Sequence, residues 1–263
     1  MAYKRVAAIS GASRGIGYET ACLLKQAGYS VYDLSPDGNA SSFAHIPCDV
    51  REEAAVKAAF ARIAETEGRL DLLICNAGYG IAGAVEDTAI EQAMQQFAVN
   101  FFGACACIKH ALPALRESRG RLIVVSSPAA VLPIPFQAYY SASKAALNAL
   151  TLALAQEVGP YGISVAAALP GDAQSAFTAA RVKTVAAESI YSERARRSLS
   201  VMEHDEKTGM TSRYVAERIA AIATKRRVRL FYTIGGQYKL FYLLQKLLPL
   251  SLARFVVGKI YGN

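Results

Sequence analysis

The chain has 263 residues, 53% of them hydrophobic, and a formal net charge of +8; single α/β domains of this size are ordinary, and the apolar content is ample for one large core. No charged stretch leading into an apolar run and a cleavage site opens the chain, so no secretory signal is expected. Five cysteines, at 22, 48, 75, 105 and 107, lack the paired spacing of a zinc or redox site, which points to a reducing compartment, the cytoplasm.

In chain order, Val6-Ala7-Ala8-Ile9 reads as a short buried strand. Ser10-Gly11-Ala12-Ser13-Arg14-Gly15-Ile16-Gly17 follows, then a helical stretch to about Ala27. Strand, glycine-rich turn and helix form the context of a dinucleotide site. Gly11 permits the tight turn, and Gly15 and Gly17 let backbone and helix approach a pyrophosphate. The free N–H groups of the helix start face its negative charge. The spacing is Gly-x-x-x-Gly-x-Gly, not the Gly-x-Gly-x-x-Gly of most dinucleotide folds.

The clearest strands are residues 5–10, 30–35, 70–75, 121–126, 162–168 and 228–234, with a short one at Ala44-His45-Ile46. Helices lie near 15–27, 52–66, 89–117, 138–158 and 212–224. This alternation predicts a parallel sheet with helices on both faces. The turn-rich segment from Ser35 to Ser42 leaves little room for a helix after the second strand. His45, His110 and His204 are scattered without metal-ligand spacing, and no metal is expected.

Charge is uneven. Residues 178–263 hold sixteen Lys/Arg against six Asp/Glu, whereas residues 1–177 hold thirteen against fifteen. No nucleic-acid-binding motif accompanies the basic third, so nucleic acid is not an expected partner. An anionic membrane surface or a negatively charged substrate fits better.

Tyr140 and Lys144 stand four positions apart on a helix and share a face. A phenol titrates near pH 10, and a fixed ammonium beside it favours the phenolate. Bringing it to about 7 takes roughly three units, or about 4 kcal/mol. Tyr139 cannot play this part, because four positions beyond it stands Ser143. The pair lies thirteen residues after Ser126-Ser127, which ends a strand. Asn76-Ala77-Gly78 ends another, Asn100 lies within a long helix, and Pro170-Gly171 with Ser175 follows a third strand.

These motifs, in this order, resemble the short-chain dehydrogenase/reductase family over residues 4 to 235. The resemblance implies a single doubly wound Rossmann-type parallel sheet of about seven strands. It implies hydride transfer between a nicotinamide and an alcohol or carbonyl, with Asn100, Ser127, Tyr140 and Lys144 as catalytic residues. Tyr140 would be the acid/base, and Lys144 would lower its pKa and bond the nicotinamide ribose. Ser127 would polarise the carbonyl, and Asn100 would support a water relay. Cofactor contacts would come from Gly11, Ser13, Arg14, Gly15, Ile16 and Gly17, then from Ser35, Asp49 and Val50. Asn76, Ala77, Gly78, Tyr140, Lys144, Pro170, Gly171 and Ser175 would complete them.

An acidic residue at the end of the second strand ordinarily bonds the ribose of NAD. That place falls at Ser35, which can donate to a phosphate, while Asp33 sits further back. Arg14 resembles the basic residue of many NADP-dependent members, although Pro36 stands where others carry arginine. NADP(H) is therefore expected ahead of NAD(H).

The tail, together with residues 202–210, is similar to the hydroxysteroid and retinol dehydrogenase branch. This implies a lipophilic alcohol or ketone, with residues 172–210 as a mobile lid. Residues 236–263 form an amphipathic extension of the same domain, with no run approaching the eighteen residues needed to span a bilayer. They are expected to wall the pocket or a subunit interface, or else to touch a membrane peripherally. The resulting expectation is an NADP(H)-dependent alcohol dehydrogenase/carbonyl reductase forming a homo-oligomer. The rivals are a reductase of small acyl ketones and a non-catalytic nicotinamide-binding sensor or scaffold.

Overall fold

The computed structural model describes residues 4–38, 43–247 and 249–262. Three strands open the chain, β1 (Val6–Ser10), β2 (Ser30–Ser35) and β3 (Ala44–Pro47), with helix α1 (Gly15–Gln26) between the first two. After them come α2 (Glu53–Glu67), β4 (Leu72–Cys75) and the short β5 (Ile81–Ala82). A long helix follows in three pieces: α3 (Ile90–Phe97), a π-helical segment (Ala98–Gly103) and α4 (Ala104–Ser118). Then come β6 (Arg121–Val125), α5 (Ala138–Val158) and β7 (Ser164–Pro170). Between β2 and β3, residues 36–38 and 43 are not helical, while 39–42 lie outside the described residues.

The stretch expected to be a mobile lid is largely regular. It holds β8 (Ala173–Gln174), α6 (Ala176–Ala179), β9 (Val182–Lys183), α7 (Ser192–Thr208) and the start of β10 (Met210–Thr211). Helix α8 (Ser212–Thr224), β11 (Phe231–Ile234), α9 (Gly236–Leu247) and α10 (Leu250–Tyr261) complete the chain.

Seven strands form one parallel sheet in the order β11-β7-β6-β4-β1-β2-β3. Strand alternation divides the core in two. Val6, Ala8, Leu73, Cys75, Leu122 and Val124 face Val56 and Ile63 of α2, Cys107 and Leu115 of α4, and Leu147 of α5. Ala7, Ile9, Leu72, Ile74 and Ile123 face Ala21 and Leu24 of α1 and Val215 and Ile219 of α8. Both faces are thus dry, which is why the strands read as continuous apolar runs.

The chain builds outward from β1 to β3, then returns to the other side of β1 with β4. In such sheets the crevice lies outside the carboxyl ends of the strands flanking that reversal. Gly103, at the end of the π-helical segment, backs onto Val50. A Cβ there would lie 2.6 Å from Val50 Cγ2 and 2.9 Å from its Cβ. Gly103→Ala should therefore lower unfolding free energy by about 1–3 kcal/mol, the usual penalty of overpacking. Urea denaturation would check this, and an unchanged midpoint would show that the segment gives way freely.

Candidate active site

At the crevice lies a cleft of ≈ 590 Å³. The glycine turn, the ends of β2, β4, β6 and β7, and residues of α5 to α7, α9 and α10 line it. Its floor is the turn after β1, where Gly11 (φ 70°) and Gly15 (φ 59°) adopt left-handed backbone that favours glycine. Gly17 allows α1 to close on the turn, since a Cβ there would run into Gly11 O and lie 2.6 Å from Asn76 Nδ2. Asn76 in turn donates to Ser10 O at 3.2 Å and Gly11 O at 2.9 Å. Ser13, Arg14 and Ile16 line the cleft with this turn, and Arg14 is exposed at the start of α1. Backbone so closely approached, at the amino end of a helix, is the cradle a pyrophosphate requires.

At the β2 end, Ser35 and Asp33 form a buried pair. Ser35 reaches the cleft wall, but it is buried and its hydroxyl donates inward to Asp33 Oδ2 at 2.8 Å, not outward to a ligand. Asp33, at 0% exposure, accepts Ala12 N at 2.9 Å through its other oxygen. Burial pushes the Asp33 carboxyl above its usual range. Asp49 lines the cleft as expected, yet Arg51 grips its carboxylate through Nε at 3.0 Å and Nη2 at 2.5 Å. Those hydrogen bonds hold the Asp49 carboxyl below its usual range. Val50 is buried against the π-helical segment.

At the other end the four catalytic candidates converge. Asn100 lies at 0% exposure within the π-helical segment, a local widening common at functional positions. Its Nδ2 donates to Tyr79 O at 3.0 Å and Ser143 Oγ at 3.1 Å, while its Oδ1 accepts Tyr79 N at 3.0 Å. Gly78 lies beside it, where a Cβ would be 3.0 Å from Asn100 Oδ1 and 3.5 Å from Lys144 Nζ. Ser127 Oγ accepts Ala129 N at 3.2 Å, and its hydroxyl also engages Tyr140. The competing Ser126 turns away and bonds Lys144 O at 3.3 Å.

Lys144, 4% exposed, donates from Nζ to Val125 O at 2.8 Å and lies 5.8 Å from the Tyr140 ring centroid. The expected acidification of Tyr140 is not what these side chains produce. Burial pushes the phenol up to about 12, against the opposing pull of the Ser127 hydroxyl. Burial also lowers Lys144, to about 8.

Several lining residues escaped the sequence reading. Phe177 tilts against Tyr140, with ring centroids 5.4 Å apart. Asp172, next to Gly171, is bonded by Tyr238 of α9, whose ring lies over Gly171. Tyr261 of α10 lines the same cleft and donates to Asp205 Oδ2 at 3.1 Å. Glu206 of α7 faces the cleft while paired with the buried Arg181. Burial raises the Asp172 carboxyl, with the Tyr238 hydroxyl working against it. Asp172 was readable from its place after Pro170-Gly171; Tyr238, Tyr261 and Glu206 carry no motif. Ser175 caps α6 by accepting Phe177 N at 3.3 Å, and Pro170, Ala77 and Gly78 line the cleft.

The Lys144 shift has a signed consequence. A lysine whose pKa is lower in the folded chain leaves the unfolded chain holding more protons between the two values, so stability rises with pH there. Relative to Lys144→Met, the wild type should gain about 3 kcal/mol between pH about 8 and about 10.5, with no change below that window. Paired denaturation curves across this range would show it, and a flat difference would mean that the ammonium is hydrated.

A model of the short chain dehydrogenase family matches residues 5–186. A 3-ketodihydrosphingosine reductase of Bacteroides thetaiotaomicron is 37% identical over 223 residues, covering 83% of each chain. A probable short-chain type dehydrogenase/reductase of Helicobacter pylori, VdlC, is 33% identical over 254 residues, 94% of each. A solved short-chain dehydrogenase from Streptomyces avermitilis shares the fold with a TM-score of 0.84 at 24% identity, covering 98% of this chain and 96% of that one. The motifs legible in the sequence and the matches along most of its length agree: this chain belongs to the short-chain dehydrogenase/reductase family of oxidoreductases.

Proposed function

We propose that the protein is an NADP(H)-dependent reductase of a lipophilic ketone, able to run in reverse as an alcohol dehydrogenase. The observation that carries this reading is the convergence of Ser127, Tyr140 and Lys144 at the far end of a cleft floored by a glycine turn, with Asn100 buried behind Gly78. The nicotinamide, when bound, supplies the hydride. Tyr140 gives its proton to the carbonyl oxygen, and the Ser127 hydroxyl orients that oxygen and donates to its developing charge. A phenol kept protonated by burial is ready to act as the acid in the reductive direction. Lys144, which lines the same end of the cleft, would bond the ribose and assist proton return. Asn100 holds the Tyr79 and Ser143 side of this group in register.

The apolar wall formed by Phe177, Ala180 and Ile134, with the rings of Tyr238 and Tyr261, favours a substrate with a long hydrocarbon arm. The relative that acts on 3-ketodihydrosphingosine supports a lipid ketone over a steroid or retinoid. For the cofactor, Asp33 is committed to Ala12 N and to Ser35, so it is not presented to a ribose. Arg14 stands exposed at the cleft rim, suited to a 2′-phosphate.

The test is NADPH oxidation, read by absorbance, over long-chain, steroid, retinoid and small acyl ketones. Long-chain ketones should turn over fastest, and Tyr140→Phe should reduce kcat by about 10²- to 10⁴-fold with NADPH affinity unchanged. Tight NADPH binding without turnover of any ketone would favour a sensor instead. Arg14→Ala should weaken NADPH about ten-fold more than NADH, the scale of one partly exposed charge-assisted contact. Equal losses in a fluorescence titration would remove Arg14 from the phosphate site.

A further inference from the structure

Helices α9 and α10 have two contrasting faces. Tyr238 and Tyr242 of α9, four residues apart, share a face, and Tyr238 turns into the cleft. On α10, Val257 and Tyr261 do the same, and Tyr261 reaches Asp205 of α7. Arg194 of α7 fastens the end of α10 by donating from Nε to Gly262 O at 2.8 Å. The opposite face carries large apolar side chains in water: Leu240 (54% exposed) and Leu243 (54%) on α9, Leu252, Phe255 (60%), Val256 and Ile260 on α10. The α10 members are spaced i, i+3, i+4 and i+8, a single stripe.

The charges on these helices are one-sided. Residues 236–263 contain Lys239, Lys246, Arg254 and Lys259 and not one Asp or Glu. Lys239 and Lys259 are exposed on the side of the apolar residues, and Arg254 is exposed on the side of Tyr261. An exposed apolar stripe on helices whose charged side chains are all cationic is complementary to a bilayer surface bearing anionic headgroups. The membrane-length helix Ile90–Ser118 is a different element: it is built into the sheet-covering layer and carries Asn100 to the site.

We propose that α9 and α10 dock the protein on the surface of an anionic bilayer. Because Tyr238 and Tyr261 wall the cleft from the same two helices, docking places the substrate end of the cleft beside the lipid. A ketone with a hydrocarbon arm then moves between bilayer and cleft without crossing water. The docking surface stands on the helices alone; its use in substrate delivery rests on the lipophilic-ketone reading above.

The test is flotation of the full chain with phosphatidylcholine vesicles, with and without phosphatidylglycerol, at low and high salt. Binding should be at least about ten-fold stronger to the anionic vesicles and should weaken with salt. Leu252→Ser/Phe255→Ser and Lys239→Glu/Lys259→Glu should each lose vesicle binding yet keep wild-type melting temperature and turnover of a short, soluble ketone. Equal partitioning to both vesicles, or to neither, would overturn the proposal. So would a concentration-dependent dimer, seen by sedimentation equilibrium, that the first pair of substitutions abolishes, since the face would then join two copies. Loss of ketone turnover in the wild type would count against the enzymatic reading and leave the vesicle result standing by itself.

Discussion

The structure hinges on a small knot of hydrogen bonds where the sheet changes direction. Ser10 Oγ accepts the backbone N–H groups of Asn76 and Ala77, each at 3.1 Å. The Asn76 carboxamide returns to the carbonyls of Ser10 and Gly11. These contacts bind the ends of β1 and β4, the two strands from which the chain departs in opposite directions. Everything that meets in the cleft is placed relative to this seam: the glycine turn directly, Gly78 and Asn100 through β4, and Ser127 through β6, which pairs with β4. Where buried backbone groups must all find partners, such a seam leaves little freedom in how the two halves of the sheet separate.

The far end of the cleft, around Tyr140 and Lys144, shows a competition between burial and charge. Lys144 is nearly closed off from solvent, with one backbone carbonyl as its neighbour. Taking an ammonium out of water opposes its charge, and taking a phenol out of water opposes ionisation; both effects appear here, in opposite directions on the pH scale. The helix brings the two groups together, but proximity alone does not make Tyr140 acidic. The protonation of the phenol answers to every charge near the ring. Glu206 and Asp172 count against the phenolate, and Arg181 counts for it.

Much of this was legible in the chain itself, and the reasons differ by region. The strands could be read because each is buried on both faces and must be apolar throughout, as in Leu72–Cys75 and Val6–Ser10. Tyr140, Lys144 and the glycine turn could be read because their chemistry demands fixed spacings within one element. Ser126 and Ser127 were separable only by offset, and the structure distinguishes them by direction. What the sequence hid depends on contacts between distant segments. The inward turn of the Ser35 hydroxyl needs the buried Asp33, and the grip of Arg51 on Asp49 needs a particular loop. Tyr238 and Tyr261 enter the cleft only because two helices of ordinary amphipathic pattern fold back over it. The regular structure within 172–210 was also missed, because α7 is rich in charge and hides only a narrow stripe that includes Ala195, Ser198 and Met202.

The bond between Ser35 and Asp33 bears on how readily the enzyme could change its coenzyme over evolutionary time. In many dinucleotide folds an acidic residue near the end of the second strand bonds the hydroxyls of a bare ribose. Here that position leans against a carboxylate that is already buried and already holds the Ala12 amide. A second acid at 35 would set two like charges against each other in a dry corner, and the first one maintains the shape of the glycine turn. Position 35 and the turn geometry are thereby coupled: an acid brought in at 35 would require Asp33 to change with it.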